Sequence, residues 1–203
     1  MTEPTFATVS DLEDLLQVPI TTEVQIASAE RALREATAAV QNYCRQVLFR
    51  VAGDPVLLDG PGRARLLLPE LPVISVEKVV ENGVELVQGV DYLLGNHGLL
   101  VRVGRVWPAG VRNVAVTYTH GYADPLPEDL RGVCARVASR VYQAGLRAAE
   151  TLGVSGVSSK TIGDFSVSFT AESGGGTGEG TMGVSSARLL LRSEMAILDR
   201  YRV

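Results

Sequence analysis

The sequence predicts an α+β fold that is mainly a helical bundle, with a small antiparallel β-sheet region inserted into it and a flexible C-terminal arm ending in a helix. Apolar residues recur at three- and four-residue spacing in segments 22–46 and 127–149, which is typical of helices packed on a core. Between them, residues 50–119 form short β-favouring runs separated by turn dipeptides. The sequence predicts a body at 1–171 with its β insertion at about 50–119, a glycine-rich linker at 172–184 and a C-terminal helix at 185–203.

Composition limits the possible classes of function. With 203 residues, of which 46% are hydrophobic, the chain is long enough to bury one ordinary core. A net charge of -4 argues against binding to DNA or an anionic membrane through bulk charge. No apolar run approaches the ~20 residues of a membrane-spanning helix and no leader-like segment begins the chain, so we expect a soluble, unprocessed protein without a membrane partner. Cys44 and Cys134 occupy apolar helix positions, as buried reduced thiols of a cytosolic protein do.

The first two helices are predicted from capping patterns followed by helical apolar spacing. Ser10 and Glu13 have the form of a capping box, and the short helix that follows ends before Pro19. Thr22 and Gln25 repeat this pattern at the start of a longer helix that runs to about residue 46. Its core-facing stripe contains Ile26, Ala29, Leu33, Ala36, Val40, Tyr43 and Val47.

Turn dipeptides divide the β region into hairpins. Asn82-Gly83 separates two valine-rich runs, and both residues tolerate the positive φ angles of a primed hairpin turn. The stretch 95–98, "GNHG", separates "YLL" from "LLV" in the same way. The sequence therefore predicts at least two hairpins in a small antiparallel sheet.

The stretch 118–130, "YTHGYADPLPEDL", places a histidine among several carboxylates and raises the question of an active site. The acids Glu128 and Asp129 fall in the first turn of a helix that starts at Pro127, where the helix dipole favours negative charge and proline has a suitable φ. We expect the stretch to be a structural turn in which His120 faces solvent or bonds to backbone. The residues that shape this turn are His120, Gly121, Asp124 and Pro127.

The helix at 127–149 is followed by one predicted strand. The helix has a single apolar face composed of Leu130, Val133, Cys134, Val137, Ala138, Val141, Tyr142 and Leu146. Residues 161–170, "TIGDFSVSFT", alternate apolar and polar side chains and predict a strand.

The C-terminal segment combines a flexible tether with an amphipathic helix. Residues 172–184 contain too much glycine to compensate for their ordering entropy, which predicts a flexible linker. Ser185 or Ser186 can cap the helix that follows. Such an arm either docks on a partner or closes the bundle of its own chain, and the sequence leaves both possibilities open. Its apolar residues are Leu189, Leu190, Leu191, Met195, Leu198 and Tyr201.

No motif in the chain predicts enzyme chemistry. The glycine spacing of 178–185 is that of a phosphate-binding loop, but Val184 stands where the lysine is needed and Glu179 repels phosphate. The two histidines and two cysteines share no metal-ligand spacing, and no serine lies in a nucleophile elbow. We therefore expect no catalytic residue, no cofactor and no metal, while a nucleotide-binding enzyme remains the weaker alternative.

The order of segments resembles the head-to-tail connector, or adaptor, proteins of long-tailed bacteriophages, especially those of phages of actinobacteria. The segments that carry the resemblance are "LDGPGRARLLLPELPVISVEKV", "VAVTYTHGYADPLPEDLRGVCARVASRVY", "TIGDFSVSF" and "ILDRYR". Together they extend over roughly residues 7–203, and they are family patterns rather than catalytic signatures.

The resemblance implies a non-enzymatic structural protein of the virion neck, made in the host cytoplasm. In this family about twelve copies form a ring beneath the portal, and DNA passes through the lumen without specific binding. The C-terminal segment docks on the portal, and the opposite face receives the next connector or stopper protein. A tail-side stopper or terminator of the same neck region is the alternative. The resemblance places portal docking on Leu189, Leu190, Leu191, Met195, Leu198, Tyr201 and Arg202.

Overall fold

The computed structural model describes residues 4–152, 159–162, 165–168 and 189–202. In these ranges four α-helices and nine β-strands are present. The helices are α1 (Val9–Leu16), α2 (Glu23–Cys44), α3 (Glu128–Leu152) and α4 (Arg192–Leu198). The strands are β1 (Val51–Gly60), β2 (Arg65–Leu67), β3 (Val73–Glu81), β4 (Val84–Leu86), β5 (Tyr92–Leu94), β6 (Leu99–Arg102), β7 (Gly110–His120), β8 (Ser159–Ile162) and β9 (Phe165–Ser168).

The fold is mixed α and β, and the prediction of a mainly helical bundle is wrong. All seven strands β1–β7 lie between α2 and α3, and they include strands of ten and eleven residues. β1, β7, β3 and β4 form one antiparallel sheet in that order, and β2, β6 and β5 form a second. The β region has its own core between strands, so it is a major layer of the protein and not a small insertion into a bundle.

The chain divides into two compact units. Unit 1 contains Met1–Ala36 and Cys134–Leu190, and unit 2 contains Thr37–Val133 and Leu191–Val203. The proposed division into a body, a linker and a docking helix stays a prediction, because residues 169–188, including the linker at 172–184 and the phosphate-loop-like stretch at 178–185, lie outside the described residues.

The helices of unit 1 begin at capping residues. The Thr8 hydroxyl accepts a hydrogen bond from the Asp11 amide at 3.2 Å and the Asp11 carboxylate accepts one from the Thr8 amide at 2.7 Å, so α1 starts two residues before the predicted Ser10. The predicted cap of α2 is confirmed: the Gln25 amide donates to the Thr22 hydroxyl at 3.3 Å, and the Gln25 side chain accepts from the Thr22 amide at 3.1 Å.

Of the elements after the β region, α3 matches the prediction more closely than the strands that follow it. On α3 the predicted stripe is buried from Leu130 to Tyr142 except at the half-buried Val141, whereas Leu146 is exposed. The single strand predicted at 161–170 is instead a pair, β8 and β9, with Ile162 opposite Phe165. The predicted single strand is therefore wrong, because β8 and β9 pair with each other antiparallel.

The two sheets of unit 2 enclose one apolar core. Residues of neighbouring strands that lie opposite each other, such as Val56, Val116 and Val79, face this core together. Both predicted hairpins are confirmed: β3 pairs with β4 across Asn82 and Gly83, whose φ angles are 50° and 84°, and β5 pairs with β6. The buried members of the core are Leu66, Leu68, Val79, Leu86, Tyr92, Leu100, Trp107, Val114, Val116 and Tyr118.

A buried ion pair joins the two sheets of unit 2. The Arg102 guanidinium, at the end of β6, donates to both carboxylate oxygens of Glu81, at the end of β3, at 2.9 and 3.2 Å. It also donates to the Asp91 carbonyl at 2.7 Å and lies 5.5 Å from the centre of the Trp107 ring. Because these groups satisfy the charge, Arg102 can be buried beside the core.

Candidate interaction site

The predicted docking residues divide into buried and exposed side chains. Leu190, Leu198 and Tyr201 are buried within the chain, and Leu189 and Met195 are half-buried. Leu191 is 51% exposed and Arg202 is also exposed. A partner that binds this surface can therefore contact Leu191 and Arg202 directly, whereas the buried residues hold the segment in place.

Within unit 2, the end of α2 holds the residues after α4. The Tyr43 hydroxyl donates to the Asp199 carboxylate at 2.6 Å, and the Gln46 side-chain amide donates to the Tyr201 carbonyl at 2.5 Å. The Gln46 carbonyl oxygen accepts from the Leu71 amide at 2.8 Å. Gln46 thus ties the C-terminal segment to the loop before β3, and it is itself buried.

Asp129, in the first turn of α3, supplies the second anchor. Its carboxylate accepts from the Tyr201 hydroxyl at 2.5 Å and forms an ion pair with Arg200 at 3.3 Å. The Tyr201 ring also meets the edge of Tyr122, with 5.6 Å between ring centres. Burial and the bond to Asp129 raise the pKa of Tyr201 above its ordinary value. The sequence assigned Asp129 only to the helix dipole, because its partner is 72 residues further along the chain.

A cleft of about 430 Å³ lies beside this anchored segment, entirely within unit 2. Arg200, Arg202 and His97 contribute to its lining, which contains no carboxylate side chain. Arg202 lies 5.5 Å from the centre of the Tyr43 ring, which orients its guanidinium. The cleft therefore favours an anionic or amide-rich group of a partner. Its remaining lining residues are Gln46, Leu71, Pro72, Val73, Leu94, Gly95, Asn96, Gly98, Tyr122 and Tyr201.

At the end of β7, the histidine of the predicted turn is buried beside a carboxylate. His120 is 1% exposed, and its Nε2 lies 3.3 Å from a carboxylate oxygen of Asp54. The expectation of a solvent-facing or backbone-bonded His120 is therefore wrong. The ring stacks at a tilt on Tyr118, 5.0 Å between centres, and its Nδ1 is buried without a hydrogen-bond partner among the described residues.

Gly121 and Pro127 occupy the positions that the turn requires. Gly121 has a φ of +83°, and a Cβ on it would lie 2.1 Å from the Phe49 carbonyl oxygen. Its amide donates to the Pro72 carbonyl at 3.0 Å. The Pro127 carbonyl accepts the amide of Arg131 at 3.1 Å as α3 begins, and Asp124 is exposed between them. These contacts position β7 against its neighbours and place no reactive group in solvent.

A sequence model of one protein family, described as Head completion protein, matches residues 5–170. The chain belongs to the head completion protein family. This confirms the resemblance to phage head-to-tail proteins drawn from the sequence. The match ends before the C-terminal segment 189–202, so the anchored residues described above lie outside the part that defines the family.

Two other comparisons concern curated proteins and solved structures. A search of curated proteins finds no match. One similar chain comes from a structure named "Neck of empty GTA particle computed with C6 symmetry", with 20% identity, 96% of this chain and 88% of that chain covered, and a TM-score of 0.49. Another, from "Neck of native GTA particle computed with C12 symmetry", has 18% identity, covers 96% and 87% of the two chains, and has a TM-score of 0.42.

The described part of this head completion family member shows no cluster of three or more histidine, cysteine, aspartate or glutamate side chains arranged to hold a metal. Cys44 and Cys134 are both buried, and burial raises the pKa of Cys44 to about 11. None of the helices that the structure describes is long and apolar enough to cross a membrane.

Proposed function

We propose that this head completion family member is the adaptor of a phage neck: a ring beneath the portal that joins the DNA-filled head to the tail. Membership of the family, across residues 5–170, is the observation that carries the proposal. It makes the chain a structural protein of the virion neck. The ring of about twelve copies, its place on the portal, the next connector or stopper on its other face and the passage of DNA through its lumen are the finer parts of the proposal.

The C-terminal segment is the proposed portal contact, in a form more specific than an apolar docking helix. Leu198 and Tyr201 anchor the segment within unit 2, so they act as positioning residues. Leu191 and Arg202 remain exposed, and Arg202 lines the cleft together with Arg200. This segment offers an exposed leucine, arginines and a cleft without carboxylates. A portal surface that complements it would be acidic or amide-rich and would carry an apolar side chain.

A charge introduced at Leu191 tests portal docking without removing the anchor. Leu191→Asp should leave the chain folded, because this side chain is 51% exposed, and should produce DNA-filled heads that lack tails. Leu93→Asp is the matched control, since Leu93 is also 51% exposed but lies on β5. Negative-stain imaging counts joined and unjoined particles, and a pull-down with purified portal measures binding.

Each outcome of that test separates the candidate functions. Loss of portal binding and of head–tail joining with Leu191→Asp alone supports the adaptor. Normal portal binding combined with lost binding to a tail-side protein would favour the stopper alternative. Normal joining with both variants would overturn portal docking by this segment. A separate binding assay with labelled ATP tests the nucleotide-binding alternative. Saturable binding that is abolished by Gly183→Ala would favour that alternative.

A further inference from the structure

Four exposed arginines lie together at one end of unit 2. We name them the arginine tip: Arg63, Arg65, Arg105 and Arg112. They lie on stretches 59–65 and 102–112, which run side by side: the Trp107 amide donates to the Arg63 carbonyl at 2.9 Å, and the Arg102 amide to the Ala64 carbonyl at 2.8 Å. All four side chains are exposed, and none of their guanidinium groups makes a hydrogen bond or ion pair within the described residues.

Exposed apolar side chains accompany the arginine tip, and acidic residues are almost absent from its two stretches. Val106 and Val111 are exposed on the same two stretches, and Val111 is 80% exposed. The single acid there is Asp59, whose carboxylate accepts the Arg112 amide at 2.6 Å. Arginine combined with exposed aliphatic groups is typical of protein interfaces, whereas a surface that only tracks phosphates gains nothing from exposed valines.

Exposed residues of complementary composition lie in unit 1, at the end of α1, just after it and at the start of α2. We name them the acidic N-terminal surface: Asp14, Leu15, Val18, Glu23 and Val24. All five side chains are exposed, and within the described residues neither carboxylate has a hydrogen-bond or ion-pair partner. The sequence contains no lysine or arginine before Arg31, so the segment that carries these acids has no cationic side chain of its own.

We propose that the arginine tip of one copy docks on the acidic N-terminal surface of the next copy. This inference rests on the proposed ring, which needs two different surfaces of each copy to meet head to tail. Charge and apolar character are complementary: the tip has four arginines and exposed valines, and its counterpart has Asp14, Glu23 and three exposed aliphatic side chains. The valines and the net charge of -4 favour a second copy over DNA as the occupant.

Cross-linking between two single-cysteine variants tests this contact in assembled particles. Val18→Cys and Val106→Cys chains are co-produced during infection, and purified particles are treated with a short bis-maleimide. Both positions are exposed, while Cys44 and Cys134 are buried and give the background with the unaltered chain. We expect a cross-linked dimer only when both variants are present. Val84→Cys is the matched control for Val106→Cys, because Val84 is similarly exposed, at 63% against 56%, but lies on β4.

The outcomes distinguish this inference from the proposed function. Particles that contain both variants but give no dimer, or as much dimer with Val84→Cys, overturn the tip contact and leave the adaptor function intact. Particles that contain none of the protein overturn both.

Charge exchange gives an independent readout of the same contact. Arg63→Glu with Arg105→Glu should lower incorporation into particles by roughly tenfold or more, since like charges then meet at the interface. Adding Asp14→Arg and Glu23→Arg to the same chain should restore most of it. Failure of this rescue, with circular dichroism unchanged, would overturn the inference and indicate that the arginines bind something else, such as DNA.

Discussion

Gly121 allows a sharp test of how the end of β7 is built. A methyl group at this position meets two separate obstacles: the φ of +83°, which side chains resist, and the Phe49 carbonyl oxygen and carbon, which would lie 2.1 and 2.6 Å from the new Cβ. Phe49 belongs to a short backbone ladder, in which Arg50 donates to the Tyr122 carbonyl at 3.0 Å and Tyr122 donates to the Leu48 carbonyl at 2.8 Å.

The expected cost of Gly121→Ala follows from these contacts. The left-handed backbone costs about 1–2 kcal/mol for a residue with a Cβ. Moving the Phe49 carbonyl far enough to remove the overlap breaks or lengthens two hydrogen bonds, each worth about 1 kcal/mol. The free energy of unfolding of unit 2 should therefore fall by about 3–4 kcal/mol, which lowers its Tm by roughly 10 °C for a chain of this length.

Gly53→Ala is the matched control for the steric part of this cost. Gly53 also has a positive φ, +61°, but a Cβ there meets nothing within 4 Å. Only the backbone strain of about 1 kcal/mol should remain. Urea unfolding followed by fluorescence suits both variants, because the single tryptophan, Trp107, is fully buried in the core of unit 2. Equal losses for the two variants would refute the steric argument.

Three further predictions concern polar groups of unit 2. Arg102→Met should lower the free energy of unfolding by about 3 kcal/mol, because it leaves a mostly buried carboxylate unpaired. Lys78→Met, at a half-exposed ion pair, should lower it by less than about 0.5 kcal/mol. Urea unfolding compares the two variants, and equal losses would contradict this prediction. Tyr201→Phe removes the hydrogen bond to Asp129 and should cost about 1–1.5 kcal/mol, and no loss in thermal unfolding would contradict it. Burial raises the pKa of Tyr118 from its ordinary 10.0 to about 12. As the pH rises, this tyrosine therefore ionises first in the unfolded chain, and the free energy of unfolding should fall between pH 10 and pH 12. Tyr118→Phe should make this fall smaller, and an unchanged pH profile would count against the prediction.

Local signals predicted the turns and helix starts of this protein well, because their partners are close in sequence. Asn82-Gly83 forms its hairpin, and Thr22 with Gln25 caps α2, through contacts within four residues. The same reasoning missed the partner of His120, since Asp54 is 66 residues away. Only the register of β1 on β7, which places Asp54 opposite Tyr118 and includes an irregularity next to it, brings the two side chains together.

The balance of helix and sheet was misjudged for a related reason. Pairing joins strands that are far apart in sequence, such as β1 with β7, and the strength of such pairing depends on which faces meet in the core. Period-two runs reveal that strands exist, but not that two sheets enclose a shared core anchored by Arg102. Helical periodicity, in contrast, identified nearly all of the buried face of α3 without any knowledge of its neighbours.

The C-terminal segment shows why a docking surface cannot be inferred from leucine content alone. Leu198 and Tyr201 are among the residues that the sequence assigns to the docking face, and both are already buried against their own unit. Deleting residues 185–203 would therefore remove Leu198 from the interior, and truncating a single buried leucine to alanine already costs about 2–5 kcal/mol. If heads and tails fail to join with this deletion variant, the result does not distinguish lost docking from lost folding. Substitution of the exposed Leu191 distinguishes the two, because it changes the outward surface and leaves the buried Leu198 and Tyr201 in place.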